Sequence, residues 1–390
     1  PVMFPDLDQE IVYVLDLIFN TKFHADKALA LLFKKNKELP KERIAGTVYD
    51  LLRNWRFIWA CRNEPPATDQ QALQTALWTW EILQDAGDGS QTEPSRLREK
   101  GRTLDAIALS VPQWLYEQGL QEIGAGWRAE LAALSQPAKI VLRVNTLKST
   151  VAGVAEKLNQ QPTTLSWAPE ALVLPRHQNV FALPEFRLGH FEVQDAASQA
   201  VSLAMQVRPG LRVVDACAGS GGKSLHLAAL MQNKGRIISL DTSDDKLEEL
   251  RRRARRAGAA IIESRLIDSA KVIKRLQDSA DRLLLDVPCT GTGVLARNPD
   301  LRWRLTPEML QELSQKQKFI LQQYSRMVKP NGLLIYSTCS LLPCEGEEQI
   351  KWFLQQYPHT FSLLEEKRYS PAQHGFDGFY VAVLKRESPA

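Results

Sequence analysis

The chain lacks the features that announce metal, disulfide or membrane chemistry. Its five cysteines, Cys61, Cys217, Cys289, Cys339 and Cys344, are odd in number and irregularly spaced, and no C-x-x-C pair occurs. With the six histidines scattered, that argues against a closed zinc site and against a disulfide framework. Free thiols of this kind belong in a reducing cytoplasm, the expected compartment. The start of the chain shows no basic-apolar-small leader, and no apolar run reaches bilayer length, so no membrane partner is expected. Two nucleotide signatures are missing as well. There is no G-x-G-x-x-G for a dinucleotide, and no G-x-x-x-x-G-K-[ST] for a nucleoside triphosphate.

What is present is ordinary in bulk. The 44% apolar and 24% charged fractions suit a globular protein, and 390 residues suffice for two or three domains. A net charge of +4 permits an anionic partner without demanding one. No internal repeat is visible. Residues 1–130 read as all helical. Ile11, Val14, Leu15, Ile18 and Phe19 share one helical face, as do Ile44, Val48, Leu51, Leu52, Trp55 and Ile58, with Pro40 in the opening region of that second helix. Pro65-Pro66 breaks the pattern and Asp85–Ser95 reads as an exposed loop. Residues 131–190 read as a small α+β module, with strands at Lys139–Thr146 and Ala171–Leu174. From residue 191 to 390, apolar strands alternate with helices, which predicts an α/β domain with a mostly parallel sheet. The expected strands are Leu211–Asp215, Arg236–Asp241, Ile261–Ile267, Arg282–Asp286 and Leu333–Ser337. Asp244 is expected to cap a helix that Gly258 ends, and Thr306-Pro307 to open one that ends at Pro330-Asn331-Gly332. Phe361–Leu364 and Tyr380–Leu384 are expected to close the sheet as an antiparallel pair.

The chemistry-bearing residues gather at the carboxyl ends of those strands, where open α/β sheets bind ligands. Asp215-Ala216-Cys217-Ala218-Gly219-Ser220-Gly221-Gly222-Lys223 joins the first strand to its helix. Glycines there let backbone approach a ligand, and Asp241, at the end of the next strand, can accept from ribose hydroxyls. Asp268, after the third strand, can bond an adenine amino group. A nucleoside cofactor such as S-adenosylmethionine fits this pattern better than a dinucleotide. Each aspartate taken alone could equally be a turn former or helix cap. Cys289 follows the strand ending at Asp286, and Cys339 follows Leu333–Ser337. Two thiols and an acid at neighbouring strand ends suit covalent chemistry that needs both a nucleophile and a base. Cys61 and Cys217 read as small buried apolar groups, and Cys344 as incidental.

Asp286-Val287-Pro288-Cys289-Thr290-Gly291-Thr292-Gly293 and Ser337-Thr338-Cys339-Ser340 resemble two signature motifs of the RNA 5-methylcytosine methyltransferases. The Asp215–Ser224 loop resembles the family's cofactor loop. So do Arg143-Val144-Asn145-Thr146, Val193-Gln194-Asp195-Ala196-Ala197-Ser198, Arg297-Asn298-Pro299-Asp300 with Trp303, and Asp377-Gly378-Phe379-Tyr380 resemble further family motifs, in order over residues 138–386. The bacterial 16S ribosomal RNA enzymes look most similar, and His24–Ile58 resembles part of their helical antitermination-factor-like domain. The chain departs from the family at Gly219-Ser220, Val287 and Cys344-Glu345-Gly346.

The resemblance implies a Rossmann-like methyltransferase domain with a seven-stranded sheet, preceded by the α+β module and the helical domain. It implies methyl transfer from S-adenosylmethionine to C5 of a cytosine in 16S ribosomal RNA or a small-subunit assembly intermediate, by a monomer. Cys339 would be the nucleophile and Cys289 the base or the group that positions one. Asp286 would bond the N3/N4 edge, and Lys223 would orient the pyrimidine or stabilise a thiolate. Asp215, Ala216, Cys217, Ala218, Gly219, Gly221, Gly222, Lys223, Asp241, Asp268 and Asp286 would line the cofactor site. No metal is expected. Rival readings are the same reaction on transfer RNA and a non-catalytic RNA-binding assembly factor. Arg251–Arg256 could be an RNA contact or a solvated, partly paired helix face. Arg297, Arg302 and Arg304 with Trp303, in the loop after Cys289, could contact RNA phosphate and stack a base, or Trp303 could simply pack that loop against the core.

Overall fold

The computed structural model describes residues 7–84, 99, 104–176 and 178–388. The expected loop at Asp85–Ser95 lies outside the described residues. The chain divides into two units, residues 1–137 with 294–307, and residues 138–293 with 308–390.

The first unit is built on helices α1 (Leu7–Thr21), α2 (Ala25–Lys35), α3 (Lys41–Arg62) and α4 (Gln70–Gln84), then α5 (Gln113–Ile123) and α6 (Gly126–Leu134). The apolar faces seen in the sequence close on each other. Val14, Leu15, Ile18, Ile44, Val48, Leu51, Leu52, Trp55 and Ile58 are all buried in one core. Asn63 ends α3 in the left-handed region, at φ 61°. The segment 294–307, expected to belong to a continuous 191–390 block, is part of this unit. Its Arg302 is fully buried and donates to the carbonyls of Arg53 (3.1 Å), Ser110 (3.3 Å) and Leu134 (3.3 Å). Trp303 packs on the same core, and its Nε1–H donates to the Leu52 carbonyl at 2.7 Å. Arg302 and Trp303 therefore serve packing, because both are drawn into this core and the Arg302 Nη atoms and Trp303 Nε1 are spent on main-chain carbonyls of the same unit.

The second unit carries two sheets. A four-stranded antiparallel sheet has the order β2-β3-β1-β4, with β1 Val141–Val144, β2 Thr163–Leu165, β3 Ala168–Val173 and β4 Phe191–Val193. Thus residues 191–193, expected to open the strand–helix domain, pair instead with β1 through Leu142↔Val193 and Val144↔Phe191. The large sheet has the order β10-β11-β9-β8-β5-β6-β7. Its strands are β5 (Arg212–Asp215), β6 (Arg236–Asp241), β7 (Ile262–Leu266), β8 (Ala280–Asp286), β9 (Val328–Thr338), β10 (Phe361–Tyr369) and β11 (Phe379–Arg386). Strands β5 to β9 run parallel, and β11 and β10 close the edge antiparallel. This is the Rossmann-like seven-stranded arrangement. Its helices are α7 (Ala196–Ala204), α8 (Gly222–Leu230), α9 (Asp244–Ala257), α10 (Pro307–Tyr324) and α11 (Glu347–Gln356).

Two expectations at element ends are corrected. Asp244 is the first residue of α9 rather than its cap, which is Ser243, while Gly258 ends the helix in the left-handed region as expected. Helix α10 ends at Tyr324, and Pro330-Asn331-Gly332 lies inside β9. There the pairing jumps from Ala280↔Val328 to Arg282↔Leu333, so the extra residues bulge out of the ladder and a turn-rich tripeptide is tolerated.

The strand order reverses at β5. Strands β6 and β7 extend to one side of it, β8 and β9 to the other. Asp215 ends β5, Asp286 ends β8, and Asp286 is in register with Ser337 of β9. The crevice of this sheet therefore opens among the residues the sequence singles out.

Candidate active site

A cleft at that switch point is walled by Val193, Gln194, Ser198, Asp215, Cys217, Ala218, Ser220, Gly222, Lys223, Arg253 and Asp286. The glycine-rich turn forms its floor. Gly221 sits at φ 85°, and a Cβ there would come within 2.6 Å of Leu250, so only glycine suits the entry to α8. Gly219 is also left-handed, and its N–H donates to Asp241 Oδ2 at 2.9 Å. Asp241 Oδ1 accepts from Ser243 N–H at 2.9 Å, so its carboxylate pins both the glycine turn and the start of α9. A carboxylate has further lone pairs to offer a ligand. Arg253 reaches the turn from α9. It donates to the Ser220 carbonyl (2.9 Å) and to Glu192 (3.0 Å). Buried Arg143 donates to the Gly222 carbonyl and to Gln194.

Asp215 is 1% exposed and accepts from Ser224 Oγ at 2.7 Å, while its buried Oδ1 completes no full hydrogen bond. Burial pushes its carboxyl up to about 7, against the opposing Ser224 hydrogen bond. The sign of the linkage follows. Between roughly pH 4 and 7 the folded protein holds a proton at Asp215 that the unfolded chain has lost, so this group lowers stability as pH rises through that window. Asp215→Asn lacks the titration. Its stability relative to the parent is expected to increase steadily from pH 4 to 7 and then level off, measured by urea unfolding at several pH values. A difference that does not change with pH would contradict the buried carboxyl.

At the other end of the cleft, Lys223 Nζ lies 2.6 Å from Asp286 Oδ2, and Ser337 Oγ donates to Asp286 Oδ1, also at 2.6 Å. Burial pushes the Lys223 ammonium down, but the Asp286 charge and hydrogen bond outweigh it and the net shift is upward. The Lys223 side chain is 11% exposed, so the charge is held where water screens it little. Lys223 also stands 5.2 Å from the Phe379 ring centroid.

Cys289 and Cys339 face each other with Sγ···Sγ at 3.4 Å, both partly exposed. The Cys289 thiol is pushed up, first by its hydrogen bond to the Cys339 sulfur and then by burial. The Cys339 charge in turn acts on the Lys223 ammonium. Two glycines bring the segments together. Gly293 N–H donates to the Cys339 carbonyl (2.9 Å) and Gly378 N–H to the Gly293 carbonyl (2.7 Å), and a Cβ on Gly293 would lie 2.3 Å from the Gly378 oxygen.

The structure therefore gathers Asp286, Lys223, Cys289 and Cys339 at the ends of β8 and β9, and Asp215, Ala216, Cys217, Ala218, Gly219, Gly221, Gly222 and Asp241 around the glycine turn. Asp268 is exposed two residues beyond β7 and accepts from Ser269 Oγ, and the intervening Ile267 N–H donates to the Asp241 carbonyl at 2.8 Å. Cys61 is buried as expected, and Cys217 packs against the core of the large sheet while also bordering the cleft. Sequence reasoning gave no role to Ser337, Gln194, Ser198 or Arg253. The first three lie inside motifs quoted for their resemblance, which was the available signal. The Arg251–Arg256 run is largely paired, with Arg253 and Arg256 on Glu192, Arg252 on Glu249 and Arg251 on Asp244.

The comparisons with known proteins agree with this geometry. The family model described as "16S rRNA methyltransferase RsmB/F" matches residues 202–385, and "Methyltr_RsmF/B-like, ferredoxin-like domain" matches residues 111–181. The "Probable ribosomal RNA small subunit methyltransferase B" of Synechocystis sp. is 34% identical, over 75% of this chain and 72% of that protein. The crystal structure of PH0851 superposes with a TM-score of 0.82 at 27% identity, covering 99% of this chain and all of that one. A methyltransferase homologue from Pyrococcus horikoshii gives 0.65 at 28% identity, over 72% of this chain and 97% of that one. The chain belongs to the 16S rRNA methyltransferase RsmB/F family.

Proposed function

We propose that this methyltransferase moves a methyl group from S-adenosylmethionine to C5 of a cytosine in 16S ribosomal RNA, through a covalent bond between Cys339 and C6. The observation that carries the reading is the 3.4 Å pair of sulfurs beside the Asp286–Lys223 ion pair, at adjoining strand ends. The small-subunit RNA comes from the names of the relatives.

The cleft suits the cofactor. It offers the under-used acceptor of Asp215, the spare lone pairs of Asp241 and the close-approach backbone of Gly219–Gly222. Asp215, Asp241 and the glycine turn would hold it. S-adenosylmethionine supplies an electrophilic methyl group there, and a cytosine C5 is by itself too poor a nucleophile to take it.

Cys339 remedies that. Its thiolate adds to C6, a C–S bond forms, and the ring electrons shift toward C5, which becomes enamine-like. Asp286 bonds the N3/N4 edge and favours a proton there, offsetting the charge that builds up in the ring. Lys223 holds Asp286 in place and stabilises the thiolate before attack. C5 then carries both the methyl group and its original hydrogen. Cys289, after giving up its own thiol proton to solvent, takes the C5 proton as a thiolate, the C5–H electrons restore the double bond, and the C6–S bond breaks to release Cys339 as a thiolate. The target base must leave its stack to reach such a crevice.

The test is methyl transfer from labelled S-adenosylmethionine to 16S ribosomal RNA, followed by nuclease digestion. The expected product is 5-methylcytidine. Label on another nucleoside, or none, would sink the proposal.

A further inference from the structure

Glu345 lies in the turn Pro343–Glu345, read in the sequence as a departure next to an incidental cysteine. It is fully buried. A carboxylate in that position is costly unless its lone pairs are filled, and here every donor is a neutral group. Oε1 accepts from Thr290 N–H at 2.9 Å and from Gln317 Nε2 at 3.0 Å, and Oε2 accepts from Thr290 Oγ1. Gln317 Nε2 also donates to the Pro288 carbonyl at 3.0 Å. The residues on either side of Cys289 are therefore both fastened, Pro288 by Gln317 and Thr290 by Glu345. The turn is fixed in its own right. Tyr336 Oη donates to the Glu345 carbonyl at 2.7 Å, and Tyr336 belongs to β9, the strand that Cys339 directly follows. Ser340 Oγ, one residue past Cys339, meets Thr292 Oγ1 at 3.0 Å. A buried polar network thus ties the Cys289 segment to the segment that follows Cys339.

We propose that Glu345 is a positioning residue for the second half of the reaction: it clamps Thr290 so that the Cys289 sulfur stays against Cys339 and can take the C5 proton. This rests on the two-cysteine reading above. Proton removal needs the acceptor within hydrogen-bond reach of its target, and a displacement of about an ångström costs on the order of a hundredfold. The first half, attack and methyl transfer, uses Cys339, Asp286 and Lys223 and does not pass through Glu345. The charge of Glu345 also helps to push the Cys289 thiol up, after the larger effects of Cys339 and burial, which makes its thiolate the stronger base.

The distinguishing variant is Glu345→Gln, whose amide NH2 would stand where Oε2 now accepts and would force the Thr290 hydroxyl to turn from donor to acceptor, while the carboxylate charge is lost. With S-adenosylmethionine and 16S ribosomal RNA, it is expected to transfer the first methyl per enzyme within about threefold of the parent rate. Multiple turnover is expected to fall by roughly tenfold to a hundredfold, and an RNA–protein adduct resistant to denaturant to build up. A merely structural residue would lower the first transfer too and leave no adduct. Thr290→Val removes only the hydroxyl donor and is the second variant, in case Glu345→Gln does not fold; a partial build-up of the same adduct is expected. Parent-like turnover in a folded variant, or loss of the first transfer without adduct, would overturn the proposal. If the parent itself makes no 5-methylcytidine, the underlying reading fails instead, so the two failures are distinct.

Discussion

Cys339→Ala is expected to abolish methyl transfer, by roughly four orders of magnitude or more, because the variant has no route to an activated C5. The residue's position makes this a clean substitution. Cys339 lies just past the end of β9, partly exposed, and its side chain fills no core. Loss of one sulfur there should alter stability by about 1 kcal/mol at most. Cofactor binding should survive, since the walls of the cleft are Asp215, Ser220, Gly222 and their neighbours and do not include Cys339. Calorimetric titration with S-adenosylmethionine and a thermal melt check those two points; an activity assay checks the third. A variant that retains a tenth of the parent rate would mean the nucleophile lies elsewhere.

Asp286→Asn is expected to lower kcat by about a hundredfold to ten-thousandfold, the range for losing a proton-handling group from a transition state. The amide can still accept from Ser337 Oγ and lie near Lys223, so the strand end keeps its shape. What disappears is the negative charge that favours a proton on the pyrimidine edge and that keeps Lys223 strongly basic. Some stability should go as well, because Lys223 is left in a poorly hydrated place without its counter-charge. Steady-state kinetics separate these effects: kcat should fall while KM for RNA changes by only about threefold. A large rise in KM at unchanged kcat would make Asp286 a binding group rather than a participant.

Much of the site was legible in the sequence because parallel sheets place function by a simple rule. Asp215, Asp241 and Asp286 each end an apolar strand, and Cys339 follows the end of another, so locating the strands located the residues. The glycine turn was legible for the same kind of reason, since Gly219 and Gly221 are needed where φ is positive. Other parts depend on partners far along the chain. Trp303 had two equally good readings, and only its bond to the Leu52 carbonyl, 251 residues away, identifies it as packing. Glu345 carried no local pattern at all; its meaning lies in Thr290, 55 residues earlier. Pro330-Asn331-Gly332 misled for a different reason. Its turn propensity is real, but the bulge in β9 absorbs it, and tertiary pairing overrides the local stop signal.

The central claim is that the two sulfurs act in sequence, Cys339 to form the bond to RNA and Cys289 to let it break. The most direct measurement is a denaturing gel of labelled 16S ribosomal RNA incubated with S-adenosylmethionine and each cysteine variant. Cys289→Ala should leave a slow-migrating protein–RNA band, and Cys339→Ala none. A band from Cys339→Ala with none from Cys289→Ala would exchange the two roles, and no band from either would contradict covalent attack.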